Sequence, residues 1–238
     1  MDYTGIKGII FDYGGTLDSR GDHWSEVIRR GYEAAGVLID RTLFREAYVY
    51  AERYLARNPI VGPDDNFHRL MTKKITVELS WLQDHGINNA ATAENISKIA
   101  GYCYDSARVC VREAISVLDV LSRDYPMALV SNFYGNVNAV LSDFGLLKYF
   151  PTVIESAVVG VRKPDPEIFN LGVKALGLPA TDILVVGDSL DKDILPAQSL
   201  GCHTAWLKGI QWDEKPQVKA NILVNNTIIS NITDLLTR

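Results

Sequence analysis

Cysteine is scarce in this chain: three among 238 residues, an odd number without a C-x-x-C pair. That excludes full disulfide pairing and points to a reducing compartment. Cys103 and Cys110, two helical turns apart on an apolar face, read as core residues rather than ligands. Long apolar runs are missing too. Stretches such as "ALV" and "ILVV" fall far below the ~20 residues of a membrane span, so no membrane partner is expected. Positive charge is not in excess, with 24 Lys and Arg against 29 Asp and Glu and a net charge of −5. There is no electrostatic footprint for nucleic acid, and an anionic substrate would need local positive charge. The opening "MDYTGIKGII" has no basic stretch followed by an apolar one, so no leader segment is expected and the protein reads as cytoplasmic. Neither an internal repeat nor a low-complexity tract is visible.

What is present is a repeated grammar of apolar run, small polar signature and helical pattern. It occurs in "GIIFDYGGT" (8–16), "MALVSNFYGN" (127–136) and "ILVVGDSLDKD" (183–193). Continuously apolar strands are buried on both faces, as in a parallel sheet covered by helices. Weaker strands are expected at 152–156, 203–207 and 221–225, and helices at 112–124, 136–146, 166–176 and 194–200. Alternation of this kind predicts an α/β fold. Residues 20 to about 112 break the rhythm. "HWSEVIRRGYEAAG", "RTLFREAYVYAERYLAR", "FHRLMTKKITVELSWLQDHG" and "ATAENISKIAGYCYDSARVCVR" carry apolar residues at three- and four-residue spacing with no strand between them. The expected organisation is an α/β core from 1–18 and 113–238, with an all-helical module inserted at 19–112.

Ligand sites in open parallel sheets lie beyond the carboxyl ends of the strands. Asp12, then Ser131 with Asn132, then Asp188 all stand at such ends. In order, "FDYGGTL", "LVSN", "RKPDPEIF" and "VVGDSLDKDILPAQSLG" resemble the four motifs of the haloacid dehalogenase superfamily of phosphohydrolases. The resemblance covers 6–18 and 112–238 by motif, and 19–111 by position, where many members carry a helical cap. It implies a three-layer, Rossmann-like core with an inserted helical cap, and a Mg-dependent hydrolase of a small phosphorylated substrate.

By the same resemblance Asp12 is the nucleophile that becomes an aspartyl-phosphate, splitting one hard displacement into two easier ones. Gly15 would let the backbone approach a bound anion, and Thr16 would position it with a hydroxyl and an amide. Magnesium favours one or two carboxylates and further oxygens. Asp12, Asp188 and the backbone carbonyl of Gly14 would supply them, with Asp193 one step further out through water. For Asp193 and Asp191 the alternative is charge that complements a helix dipole. Ser131 and Asn132 would donate to the transferring phosphoryl group, or cap the next helix. Lys163 stands just before a helix start, with Asp165 as N-cap and Pro166 as first helical residue. A cation there opposes the macrodipole unless an anion sits beside it, which reads as a phosphate clamp.

The family's phosphatases carry a second Asp two residues after the nucleophile, as general acid and base; here that position is Gly14. Its loss should cost most with alkoxide leaving groups and in hydrolysis of the aspartyl-phosphate. His23 and Asp18 are candidate replacements. The alternatives are a substrate that leaves without protonation, a phosphonatase- or dehalogenase-like hydrolase, or a non-catalytic phospho-ligand binding protein. An intact "GDS" argues against the dehalogenase form. Lys73, Lys74 and Lys98 are the cap lysines available to a phosphonatase, and all three read as solvated. Substrate contacts from the cap would come from among Trp24, Arg29, Arg30, Tyr50, His68 and Arg69.

Overall fold

The computed structural model of the chain describes residues 4–212 and 226–237. Among these, the strands are β1 (Gly8–Phe11), β2 (Met127–Ser131), β3 (Thr152–Glu155), β4 (Ile183–Gly187), β5 (His203–Leu207) and β6 (Asn226–Ile229). They form one all-parallel sheet in the order β3-β2-β1-β4-β5-β6. β1, β2 and β4 are buried at every residue because both sheet faces are covered. Ile9, Phe11, Leu129 and Val186 point to one face, where the inserted helices pack. Ile10, Val130 and Val185 alternate to the other and meet Ile168 and Phe169. The result is a three-layer, Rossmann-like α/β core.

Between β1 and β2 lie four helices: α1 (Trp24–Ala35), α2 (Arg41–Arg57), α3 (Phe67–Asp84) and α4 (Ala93–Leu121). Each begins where a polar side chain takes up an otherwise unpaired backbone N–H. His23 caps α1, Asp40 caps α2, Asn66 caps α3 and Thr92 caps α4. After β2 come α5 (Val137–Asp143), α6 (Ser156–Val159), α7 (Glu167–Leu176) and α8 (Leu195–Ser199).

Two expectations change. The helices expected at 91–112 and 112–124 are one, α4, which runs through the expected boundary at 112. No Gly or Pro interrupts it there, and Val111, Ala114, Val117, Leu118 and Leu121 prolong one buried stripe. Asp165 lies one step outside α7; its carboxylate accepts the Glu167 N–H at 2.9 Å, and Pro166 takes the capping position. The strand expected at 221–225 lies outside the described residues.

Candidate active site

The sheet order places β1 and β4 side by side at the point where the chain reverses its direction of travel across the sheet, the crevice where ligands bind in such folds. Asp12 follows β1 directly, and its N–H donates to the Val186 carbonyl at 2.9 Å, continuing the ladder to the sheet edge. Asp188 follows β4. Its carboxyl fits only because residue 15 is glycine: φ is +100°, and a Cβ there would lie 2.4 Å from Asp188 Cγ. Gly187 does the same for Asp193, whose Cβ would be 2.4 Å from an added methyl. Asp193 sits in a π-helical turn, Leu190–Ile194, and is anchored by the Ser189 N–H at 3.0 Å.

Asp12, Asp188 and Asp193 are all buried, and each offers a carboxylate oxygen within 4.8 Å of the other two. Lys163 is buried against them. Its Nζ donates to Asp12 Oδ1 at 2.5 Å and to Asp193 Oδ1 at 2.7 Å. Thr16 Oγ1 donates to Asp12 Oδ2 at 2.9 Å and approaches Asp188 Oδ1 at 3.4 Å. Burial raises the Asp12 carboxyl to about 6; Lys163 opposes the rise and Asp193 adds to it. Asp188 is pushed well above the usual range by burial, then by Asp193 and Asp12. Burial alone would lower the Lys163 ammonium, but the two carboxylates override it and raise it. Among the described residues one ammonium contacts the three crowded acids, and it reaches two of them, Asp12 and Asp193, so the site is short of positive charge. A hard divalent cation fits this all-oxygen donor set.

Asp12, Gly14, Gly15, Ser131, Asn132, Lys163, Asp188 and Asp193 line one cavity of about 580 Å³, and Thr16 lies buried beneath it. Asn132 behaves differently from a simple phosphoryl donor. Its side-chain carbonyl accepts the Lys163 N–H at 2.9 Å, and its amide donates to the Lys163 carbonyl at 3.1 Å. It therefore holds Lys163 in place. Asp191 is exposed, away from the cluster's buried side.

Asp18 is buried and lines the cavity. It accepts the Gly15 N–H at 2.8 Å and the Trp24 indole N–H at 3.0–3.1 Å, and burial lifts its carboxyl to about 7 against those bonds. His23 also borders the cavity, with Nδ1 against Ser25 at the start of α1.

Of the six cap candidates only Trp24 lines the cavity. Arg29 and Arg30 pair with Glu26, Glu33 and Asp22 instead. The reading of Lys74 as solvated is wrong: its side chain is 3% exposed and it borders the cavity. The signal for it was present, since Phe67, Leu70, Met71, Lys74 and Glu78 share one helical face at three- and four-residue spacing. Tyr48, Glu52 and Tyr134 were also missed.

Fold and site together define a three-layer α/β protein with a buried carboxylate centre at the sheet edge, beside the helices inserted between β1 and β2. The chain belongs to the haloacid dehalogenase-like hydrolase family, which it matches over residues 6–201. It is similar to the phosphoglycolate phosphatase of Photobacterium profundum, with 27% identity over 208 residues, 86% of this chain and 84% of that protein. It is 40% identical over 73 residues to haloacid dehalogenase-like hydrolase domain-containing protein 3 of Danio rerio, 31% of this chain and 30% of that one. The chain spans between 25% and 43% of the length of four of the curated relatives it matches. Among solved structures, the magnesium-bound HAD-hydrolase YfnB from Bacillus subtilis shares the fold. The TM-score is 0.57 at 18% identity, over 97% of this chain and 96% of that one. Among the described residues no helix is long and apolar enough to cross a membrane.

Proposed function

We propose that this chain is a magnesium-dependent phosphohydrolase that turns over a small phosphorylated substrate through an aspartyl-phosphate on Asp12. The observation that carries the reading is the cluster of three buried carboxylates within 4.8 Å, with Lys163 bonded to two of them. Asp12, Asp188 and the Gly14 carbonyl would hold the cation, with Asp193 behind them. When bound, magnesium neutralises phosphate charge and the crowded carboxylates. The helical module from 19 to 112 is the cap that closes over the substrate, and the cytoplasm suits three unpaired cysteines.

Lys163 and Thr16 grip opposite oxygens of Asp12, which aims the carboxylate and limits its motion. An Asp12 oxygen attacks phosphorus, the bond to the ester oxygen breaks, and the leaving group takes the electron pair. Lys163 and the Ser131 hydroxyl face the phosphoryl group, and Asn132 keeps the lysine in register. A water molecule then attacks the phosphoryl group and frees Asp12. With no carboxyl at residue 14, groups stable as anions leave fastest. Lys74 does not favour the phosphonatase alternative: its ammonium is paired with Glu52, and imine formation needs a free lone pair.

The test is turnover of p-nitrophenyl phosphate with magnesium and with chelator, alongside Asp12→Asn. Activity should require the metal and vanish in the variant, and acid-quenched enzyme should carry phosphate on Asp12. Turnover that survives either change overturns the reading, and a protein that binds phosphate but never turns over would be the binding protein instead.

A further inference from the structure

The cavity above Asp12 is much larger than a phosphoryl group needs. Its volume of about 580 Å³ falls among sites of ~300–1,000 Å³ that enclose whole organic molecules. Trp24 of α1 and Phe67, Leu70 and Met71 of α3 give it an apolar wall, with the Trp24 and Phe67 rings 5.2 Å apart. Phe133, just beyond Ser131 and Asn132, adds a ring from the core side.

Set into this lining is one polar patch. Lys74 of α3 pairs with Glu52 Oε1 of α2, and its Nζ lies 4.2 Å above the Tyr48 ring. Tyr134, from the core, donates to Glu52 Oε2 at 2.8 Å. The Lys74 side chain is 3% exposed and that of Glu52 36%, so the pair is closed off on the lysine side and open on the glutamate side, where it lines the cavity. An ammonium has three N–H bonds and a carboxylate about four lone pairs. Glu52 also accepts from Tyr48, so it keeps about one lone pair, and Lys74 about two N–H bonds, for a ligand. By contrast Arg53, Arg162 and Lys192, which also line the cavity, are exposed at its mouth and would draw in an anion.

We infer that Lys74 and Glu52 form the subsite for the organic end of the substrate, a phosphomonoester whose alcohol carries a ring with a neutral donor–acceptor edge. This rests on the phosphohydrolase reading above. The ring follows from the aromatic wall. Neutrality follows from the pairing: a second anion brought to Lys74 would also meet Glu52, and a cation brought to Glu52 would meet Lys74. An edge with one acceptor and one donor, as on a nucleobase, satisfies both.

The experiment compares kcat/KM for a nucleoside 5′-monophosphate, 2-phosphoglycolate and acetyl phosphate, all with magnesium. It uses the wild type and the double variant Lys74→Met, Glu52→Gln, which removes both charges and keeps the volume. The wild type should prefer the nucleotide over phosphoglycolate by about tenfold or more, the worth of one charge-assisted hydrogen bond. In the double variant the nucleotide-to-acetyl phosphate ratio should fall by about the same factor, mainly through KM. A wild type that prefers phosphoglycolate overturns the inference, whether or not the variant folds. So does a ratio that the folded variant keeps within about twofold. A wild type inactive on acetyl phosphate overturns the phosphohydrolase reading itself, and this inference with it.

Discussion

Lys163 Nζ lies 2.5 Å from Asp12 Oδ1, with both side chains buried. The same ammonium reaches Asp193, so it is the contact cation for two carboxylates at once. Removing it as Lys163→Met leaves buried acids without a counter-charge, which costs about 3–5 kcal/mol. Urea unfolding without divalent cation should show that loss, larger at pH 8 than at pH 5. Asp12 titrates at about 6 and is mostly protonated at the lower pH. Turnover should fall roughly 10²–10³-fold. An unchanged unfolding midpoint at pH 8 would contradict the ion-pair argument.

Residue 14 is open to repair. Its backbone is outside the left-handed region, and an added Cβ would meet only the Trp24 ring, 4.0 Å away. Gly14→Asp should therefore fold and raise turnover of alkyl phosphates, by up to about 10²–10⁴-fold if the carboxyl reaches the leaving group. Steady-state rates on alkyl and p-nitrophenyl phosphates check this, because the gain should be much smaller for the aryl ester. Equal gains on both would mean that leaving-group protonation does not limit the wild type.

Residue 15 is the opposite case. Gly15→Ala places a methyl 2.4 Å from Asp188 Cγ at a φ of +100°. Backbone strain of ~1–3 kcal/mol and a displaced carboxylate follow. Calorimetric titration should find magnesium affinity weakened, beyond what the lost stability explains. Tight magnesium binding by the variant would remove Asp188 from the metal site.

Glu78 lies wholly buried on α3, with Oε2 accepting the Tyr32 hydroxyl at 3.1 Å and Oε1 without a partner among the described residues. Burial raises its carboxyl from 4.5 to about 7, with Lys74 opposing. The folded chain therefore keeps a proton that the unfolded chain releases near 4.5. The stability tied to that proton is complete below pH 4.5 and lost as pH rises through 7. Glu78→Gln should gain on the wild type across that interval, by up to about 3 kcal/mol at pH 8. Urea unfolding at several pH values measures the difference, and a gap that does not change with pH refutes it.

The α/β alternation, the helical insertion and the meeting of Asp12, Asp188, Asp193 and Lys163 were all legible. A buried parallel strand must be apolar along its length, so an acid at its end stands out. A lysine beside a helix start is unfavourable without an anion nearby. The continuity of α4 was less legible, because periodicity does not mark where one domain's share of a helix ends. The cap lining was legible only in part. Trp24 was among the expected contacts and lines the cavity, but arginines 29 and 30 looked available and pair with their own neighbours. Lys74 was read as solvated although it lies on the apolar face of its helix and is enclosed.

By itself, then, the sequence determined the class of fold, the family and the carboxylates at the sheet edge, since each rests on local pattern or on the order of motifs along the chain. Only the tertiary structure decided that Asn132 holds Lys163, that Asp18 lines the cavity beside Trp24, and that Lys74, Glu52 and Tyr134 meet in the cavity that Asp12 also lines. Those contacts join residues from 6 to 82 positions apart. Their existence depends on how helices pack across the sheet edge, which periodicity along a single segment does not encode.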